Sequence, residues 1–300
     1  MRLITFVHTD QPRLGALVTH QETQLVYDLN LLEPRLPHTL LGLLEAGPPA
    51  LDLAKQTLAA ASPAQGLDFA ALQLLAPLPR PGKIICIGQN YLAHAHESNA
   101  AAPPAPIIFA KFANTVIGPG APIVIPTAVR EPDYEGELGV VIGRRSRNVA
   151  ESEALHCVAG YLPLNDVSAR DWQNRTSQWV IGKTPDTFCP MGPALVTADE
   201  VPDVQNLWLR TWINDELVQE GHTSLMIFSV ARLIADMSRV MTLEAGDIIA
   251  TGTPAGVGAA RTPPRWLRPG DVVQVEIETI GALENPVLAE AWQDAEKSTP

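Results

Sequence analysis

Asp133-Tyr134-Glu135-Gly136-Glu137-Leu138-Gly139-Val140-Val141-Ile142-Gly143 is the stretch whose reading decides the fold. Val140, Val141 and Ile142 favour a strand, and Gly143 closes the run. The start of the stretch does not suit a buried strand. Side chains alternate between faces, so Glu135 and Glu137 point the same way, about 7 Å apart along the chain. Tyr134, Leu138, Val140 and Ile142 take the other face. Neighbouring carboxylates repel, and burying either one unpaired is costly. The pair alone leaves two readings open: a solvated sheet edge, or a cation held between the side chains.

Working outward, Gly160–Asn165 reads as a strand that delivers Asp166. The polar cluster Asn165-Asp166-Val167-Ser168-Ala169-Arg170-Asp171 follows it directly, where active-site loops usually sit. Asp171–Trp179 is polar with two tryptophans and reads as a lid or a surface loop. Gly182-Lys183-Thr184 holds a lone lysine, which by default belongs on the surface. Upstream, Lys83–Ile87 is a buried-type strand ended by Gly88. Asn90 is placed to cap a helix carrying Tyr91, His94 and Glu97. His94 and Glu97 are i,i+3 and share a face. A carboxylate that orients an imidazole makes a workable general base, although a surface pair has the same spacing. Downstream, Asp247–Ala250 enters the loop Thr251-Gly252-Thr253-Pro254-Ala255-Gly256-Val257-Gly258, whose backbone can approach a ligand closely. It is neither a P-loop nor a dinucleotide fingerprint, since no Gly-Lys-Ser/Thr and no helical pattern follow.

The remainder reads as mixed α/β, mainly β. Residues 2–7, 14–19 and 24–28 are short strands, and Leu40–Leu44 and Leu51–Ala61 are helical pieces. Together, 1–75 form a small α+β N-terminal unit, joined through Pro77–Pro81 to a main unit over 76–290. A tail over 291–300 follows, frayed from Ala295 to Pro300. Glu151–Val158 is read as a helix. Leu207–Ile213 and Glu216–Val218 flank an Asn214-Asp215 hairpin turn. Val230, Leu233, Ile234, Met237, Val240 and Met241 fall at helical spacing and read as core.

The chain has 300 residues, 46% of them hydrophobic, and a net charge of −12. No basic run is present, which argues against nucleic acid or an anionic membrane surface as partner. No apolar run reaches transmembrane length, and Met1–Asp10 is too short in apolar residues for a signal peptide. The expected compartment is the cytoplasm. Cys86, Cys157 and Cys189 are odd in number and far apart, as reduced core thiols would be.

Taken together, these segments resemble the fumarylacetoacetate hydrolase family. The matching pieces are Ile87-Gly88-Gln89-Asn90-Tyr91 with His94, Asp133–Leu138, Asn165–Asp171, Gly182-Lys183, Gly192-Pro193 and Thr251–Gly258, spread over about 80 to 285. The resemblance implies a mixed β-roll with few helices, preceded by a small N-terminal domain, in a homodimer. It implies Mg²⁺ or Mn²⁺, with Ca²⁺ also admissible, held by Glu135, Glu137 and Asp166. Three hard oxygen donors suit those ions better than zinc. It makes His94 the base and Glu97 its partner. Arg170, Gln173 and Lys183 would bind substrate or stabilise developing negative charge, and Thr253 would contact a substrate carboxylate.

The implied substrate is a small 2-oxo or 2-hydroxy-dienoic diacid. The leading expectation is hydrolysis of a C–C bond in an acylpyruvate-type molecule through a metal-stabilised enolate. The alternatives are a decarboxylase or isomerase of the 2-hydroxyhepta-2,4-diene-1,7-dioate or oxaloacetate type, and an inactive homologue that only binds metal and oxo acid. Two departures bear on the choice. No carboxylate stands near Ile87-Gly88, unlike the long animal-type enzymes. Gln89 replaces a basic residue found in many acylpyruvate-cleaving members. Arg170-Asp171-Trp172-Gln173 and Gly182–Phe188 are closer to bacterial members assigned as the diene-dioate isomerase or the linked decarboxylase.

Overall fold

The apolar run Leu138–Ile142 lies in the middle of a large sheet, and that position explains its composition. In the computed structural model, which describes residues 1–291, strand Gly136–Ile142 is buried along its whole length. It pairs antiparallel with Val158–Asn165 on one side and with Ile248–Ala250 on the other. A strand covered on both faces carries a nearly continuous apolar run instead of strict alternation. Ile248–Ala250 pairs in parallel with Ile84–Gly88, and Ile107–Lys111 forms the edge beyond it.

On the other flank, Val158–Asn165 pairs with Leu195–Thr197, which pairs with Arg2–His8 through Leu3 and Leu195. Gln11–His20, Thr23–Asp28 and Leu67–Asp68 continue the sheet, and Gln73–Leu75 pairs with Arg2–His8 off this path. The three N-terminal strands read from the sequence are therefore present, and they extend the central sheet. The core is continuous as well: Leu3, Leu14 and Leu43 share one cluster with Ile84, Val141 and Leu162.

A second sheet runs Glu216–His222, Trp208–Ile213, Val272–Ile277, Gly281–Ala289 and Ile123–Ile125. Its first hairpin turns at Asn214, which takes a positive φ of 54° as such turns require. Helix Val230–Ser238 packs Val230, Leu233, Ile234 and Met237 against Leu138, Val140 and Ile142. Nine residues are too few for a stable isolated helix, so this burial holds it. Each fully buried Leu or Ile contributes roughly 1.5–3 kcal/mol.

Three local expectations change. Val240, assigned to the core by spacing, is 76% exposed, because the helix stops at Ser238. Glu151–Cys157 forms 3₁₀ turns and not an α-helix. Asn90 does not cap the helix Leu92–Glu97; its carboxamide donates to Phe228 O and Thr251 O and ties two loops together. All three cysteines are free and buried. Among the described residues no helix is long and apolar enough to cross a membrane. The expected fraying at Ala295–Pro300 lies outside the described residues.

Candidate active site

The end of strand Val158–Asn165 brings Asp166 to the start of Gly136–Ile142. The Asp166 N–H donates to Glu135 O at 2.8 Å, and the Glu135 N–H donates to Asn165 Oδ1 at 3.1 Å. These bonds gather Glu135, Glu137 and Asp166, whose carboxylate oxygens lie within 4.8 Å of one another. All three side chains are buried, so the solvated-edge reading does not hold.

Cations answer part of this charge. Lys183, expected on the surface, is 1% exposed. Its Nζ lies 2.6 Å from Glu135 Oε2 and 2.8 Å from Asp166 Oδ2. It closes the short helix Val180–Lys183, which packs on Arg170–Gln173. A Cβ at Gly182 would come within 2.4 Å of Gln173 N, so the two turns meet only over a glycine. Arg170 spans the site: Nη2 reaches Glu135 Oε1 at 2.6 Å, Nε reaches Asp133 Oδ2 at 2.9 Å, and Nη1 donates to Gln173 Oε1 at 3.0 Å. The oxygen of Gln173 is thus engaged, and among the described residues its amide nitrogen has no hydrogen-bond partner.

Two site residues escaped the sequence reading. Lys111, at the end of strand Ile107–Lys111, places Nζ 2.6 Å from Asp166 Oδ1 and 2.9 Å from Val167 O. Its one signal is a lysine closing an apolar strand. Asp133 holds Arg170 and accepts the Gly258 N–H at 2.7 Å and the Ala259 N–H at 3.1 Å, so it anchors the glycine-rich loop.

The three carboxylates are not equivalent. Burial pulls the Glu135 carboxyl up, but Lys183 and Arg170 outweigh it and hold it below the usual range. Burial, reinforced by the charges of Asp166 and Glu135, pushes Glu137 well above that range. Glu137 accepts only the Gly252 N–H, at 2.8 Å, among the described residues. Burial works against the Lys183 ammonium, yet Asp166 and Glu135 raise it above its ordinary value. With every carboxyl ionised, Glu97, Asp133, Glu135, Glu137 and Asp166 face Lys111, Arg170 and Lys183, which leaves two negative charges unmatched. That balance and the all-oxygen donor set fit one divalent cation of the Mg²⁺ or Mn²⁺ kind.

His94 and Glu97 meet as their spacing predicts, with Nδ1 2.7 Å from Oε1. Glu97 Oε2 also accepts the Gly256 N–H at 2.8 Å, which latches the helix to the glycine-rich loop. With Nδ1 engaged, Nε2 is the ring nitrogen left to exchange a proton. Gly256 has φ +108°, and a Cβ there would lie 2.3 Å from Val218 O, so only glycine makes this contact.

A cavity of about 390 Å³ joins these groups; His94, Glu135, Glu137, Lys183, Gln173 and Thr253 all line it. Asp166 lies behind them, fully buried. Thr253 has a more limited capacity than the resemblance implied. Its hydroxyl donates to Gly136 O at 2.9 Å and accepts from Gln219 Nε2 at 2.8 Å, which leaves no hydroxyl proton for a substrate carboxylate. Trp179 closes the wall, edge-on to Phe109 and tight against Gly88.

The fumarylacetoacetate (FAA) hydrolase C-terminal family matches residues 83–288, a span that holds every side chain of this site. The chain belongs to this family. A fumarylacetoacetate hydrolase from Exiguobacterium antarcticum superposes with a TM-score of 0.83 at 37% identity, covering 96% of this chain and 99% of its own. A maleylpyruvate hydrolase from Sphingobium sp. SYK-6, solved with manganese(II) and pyruvate, gives 0.79 at 33% identity over 96% and 99% of the two chains. The Xenopus laevis protein named oxaloacetate tautomerase fahd2, mitochondrial, is 46% identical over 290 residues, which is 96% of this chain and 90% of its own length. Fumarylacetoacetate hydrolase family members of these kinds are enzymes, and the fold class read from the sequence is that of the family.

Proposed function

We propose that this enzyme interconverts the enol and keto forms of a short 2-oxo diacid, with oxaloacetate as substrate. The observation that carries the proposal is one cavity lined by the His94–Glu97 pair and by Glu135 and Glu137, with Asp166 clustered directly behind them. Ketonisation removes a proton from the enol oxygen and adds one to the neighbouring carbon. It consumes no water and breaks no carbon–carbon bond. His94, oriented through Nδ1, carries a proton at Nε2 to or from that carbon, and Glu97 stabilises the charged imidazole. In this reading Lys183 and the amide of Gln173, both buried side chains in the cavity wall, stabilise the negative charge that develops on the 2-oxo oxygen. A divalent cation held by Glu135, Glu137 and Asp166 would supply Lewis-acid polarisation of the substrate oxygens.

Hydrolysis of an acylpyruvate would use the same groups, with His94 activating water. The similarity to the maleylpyruvate hydrolase favours it. The tautomerase reading is preferred because the relatives at 44–46% identity over 96% of this chain carry that name. Gln89 also brings no positive charge to the cavity wall. The test follows decay of the enol absorbance of oxaloacetate with Mg²⁺, alongside pyruvate release and acylpyruvate cleavage. Fast enol decay without pyruvate supports the proposal. Acylpyruvate cleavage with no effect on enol decay overturns it in favour of the hydrolase.

A further inference from the structure

Glu135 and Glu137 act as a pair only if the residue between them is held still. Gly136 is gripped on three sides. Its N–H donates to Gln219 Oε1 at 3.0 Å, and its carbonyl accepts from Thr253 Oγ1 at 2.9 Å. A Cβ at Gly136 would come within 2.1 Å of Thr211 Oγ1, so that hydroxyl occupies the space of a side chain. On its other edge Gly136 pairs with Asn165, the residue before Asp166.

Thr211 and Gln219 face each other across the hairpin of Trp208–Ile213 and Glu216–His222, and the register shifts between Thr211 and Trp212. Such an irregularity re-aims side chains away from the regular ladder. Gln219 is 1% exposed, and its amide nitrogen also donates to Thr253 Oγ1 at 2.8 Å and Pro254 O at 2.9 Å. A carboxamide with its oxygen and both N–H groups engaged has one orientation. Strand Ile248–Ala250 pairs with Gly139–Val141 and does not reach Gly136.

We infer that Gln219 is a positioning residue for the metal centre: with Thr253 it replaces an absent neighbouring strand beside Gly136 and so sets the separation of the Glu135 and Glu137 carboxylates. The inference rests on the metal reading of those carboxylates. Gln219 does not line the cavity, and its hydrogen bonds run to Gly136, Thr253 and Pro254.

The test is calorimetric titration of the metal-stripped full chain with Mn²⁺ alone, which reads the centre without turnover. Gln219→Met keeps the length of the side chain and removes its hydrogen bonds. Its Mn²⁺ dissociation constant rises by about tenfold or more, the equivalent of one strong hydrogen bond. Thr253→Val weakens Mn²⁺ similarly, and Thr253→Ser restores the parent constant. The double variant loses less than the two single losses combined, because both act on one residue. Asn285→Leu, which removes two buried hydrogen bonds away from the site, leaves the constant unchanged.

A folded Gln219→Met within about twofold of the parent overturns the inference, since that is less than one hydrogen bond's worth. If Gln219→Met does not fold, the Thr253 pair decides: equal affinities for Thr253→Val and Thr253→Ser overturn it. A parent that binds no Mn²⁺ overturns the metal reading as well, whereas a binding parent with unaffected variants overturns the positioning role alone.

Discussion

Lys111 Nζ lies 2.6 Å from Asp166 Oδ1, and neither side chain has any exposure to solvent. This ion pair commits one oxygen of Asp166 and turns the other toward Lys183 and the glutamates. Removing Lys111 leaves the buried Asp166 with Lys183 alone, a cation it shares with Glu135. Lys111→Met should therefore destabilise the fold by about 3–5 kcal/mol. Asp166→Asn in the same chain should recover much of that loss, although the metal site is spoiled. Thermal melts of the two single variants and the double variant measure both effects.

Glu137 lacks a cation of its own among the described residues and is pushed up by burial and by its neighbours' charges. Glu137→Gln removes a charge the metal-free fold does not favour. The variant should melt no lower than the parent without metal, bind Mn²⁺ far more weakly, and lose turnover. A variant that kept the parent's Mn²⁺ affinity would falsify the assignment of Glu137 as a ligand.

The His94–Glu97 pair is assigned to proton transfer and not to binding. His94→Ala should lower kcat by about 10²–10⁴-fold with little change in KM. Glu97→Gln should cost less, since it keeps a hydrogen-bonding partner for Nδ1. Steady-state rates on enol oxaloacetate check both. A large rise in KM at constant kcat would instead make His94 a binding residue.

Burial pushes the Cys189 thiol up to about 12 and raises Cys86 well above its ordinary value. At pH 8 neither is a thiolate to any useful degree, and the thiolate is the reactive form. Cys157 is buried as well. A thiol reagent should find no fast-reacting cysteine in the native protein and three in denaturant. Rapid native modification of any one would contradict this packing.

Much of the site was legible because its signals are local. The apolar run after Glu137, the i,i+3 spacing of His94 and Glu97, and the polar cluster after Asn165 each sit within a few residues. What escaped notice depends on distant partners. Lys111 meets Asp166 across 55 residues, and Gln219 meets Gly136 across 83. Neither residue carries a local pattern, and a lone lysine or glutamine looks like surface until its partner is placed. Asn90 misled for the opposite reason. Its position suits a cap, but two loops compete for its carboxamide and win. Val240 kept the helical spacing two residues past Ser238, where the helix ends.

The ladder between Arg2–His8 and Leu195–Thr197 limits how the protein can be cut down. Removing the first 75 residues would leave Leu195–Thr197 as a raw border, its amides and carbonyls open to any passing strand. Such a fragment would retain the whole chemical apparatus and still fail as a minimal enzyme, because copies of it would stick to one another before they met substrate.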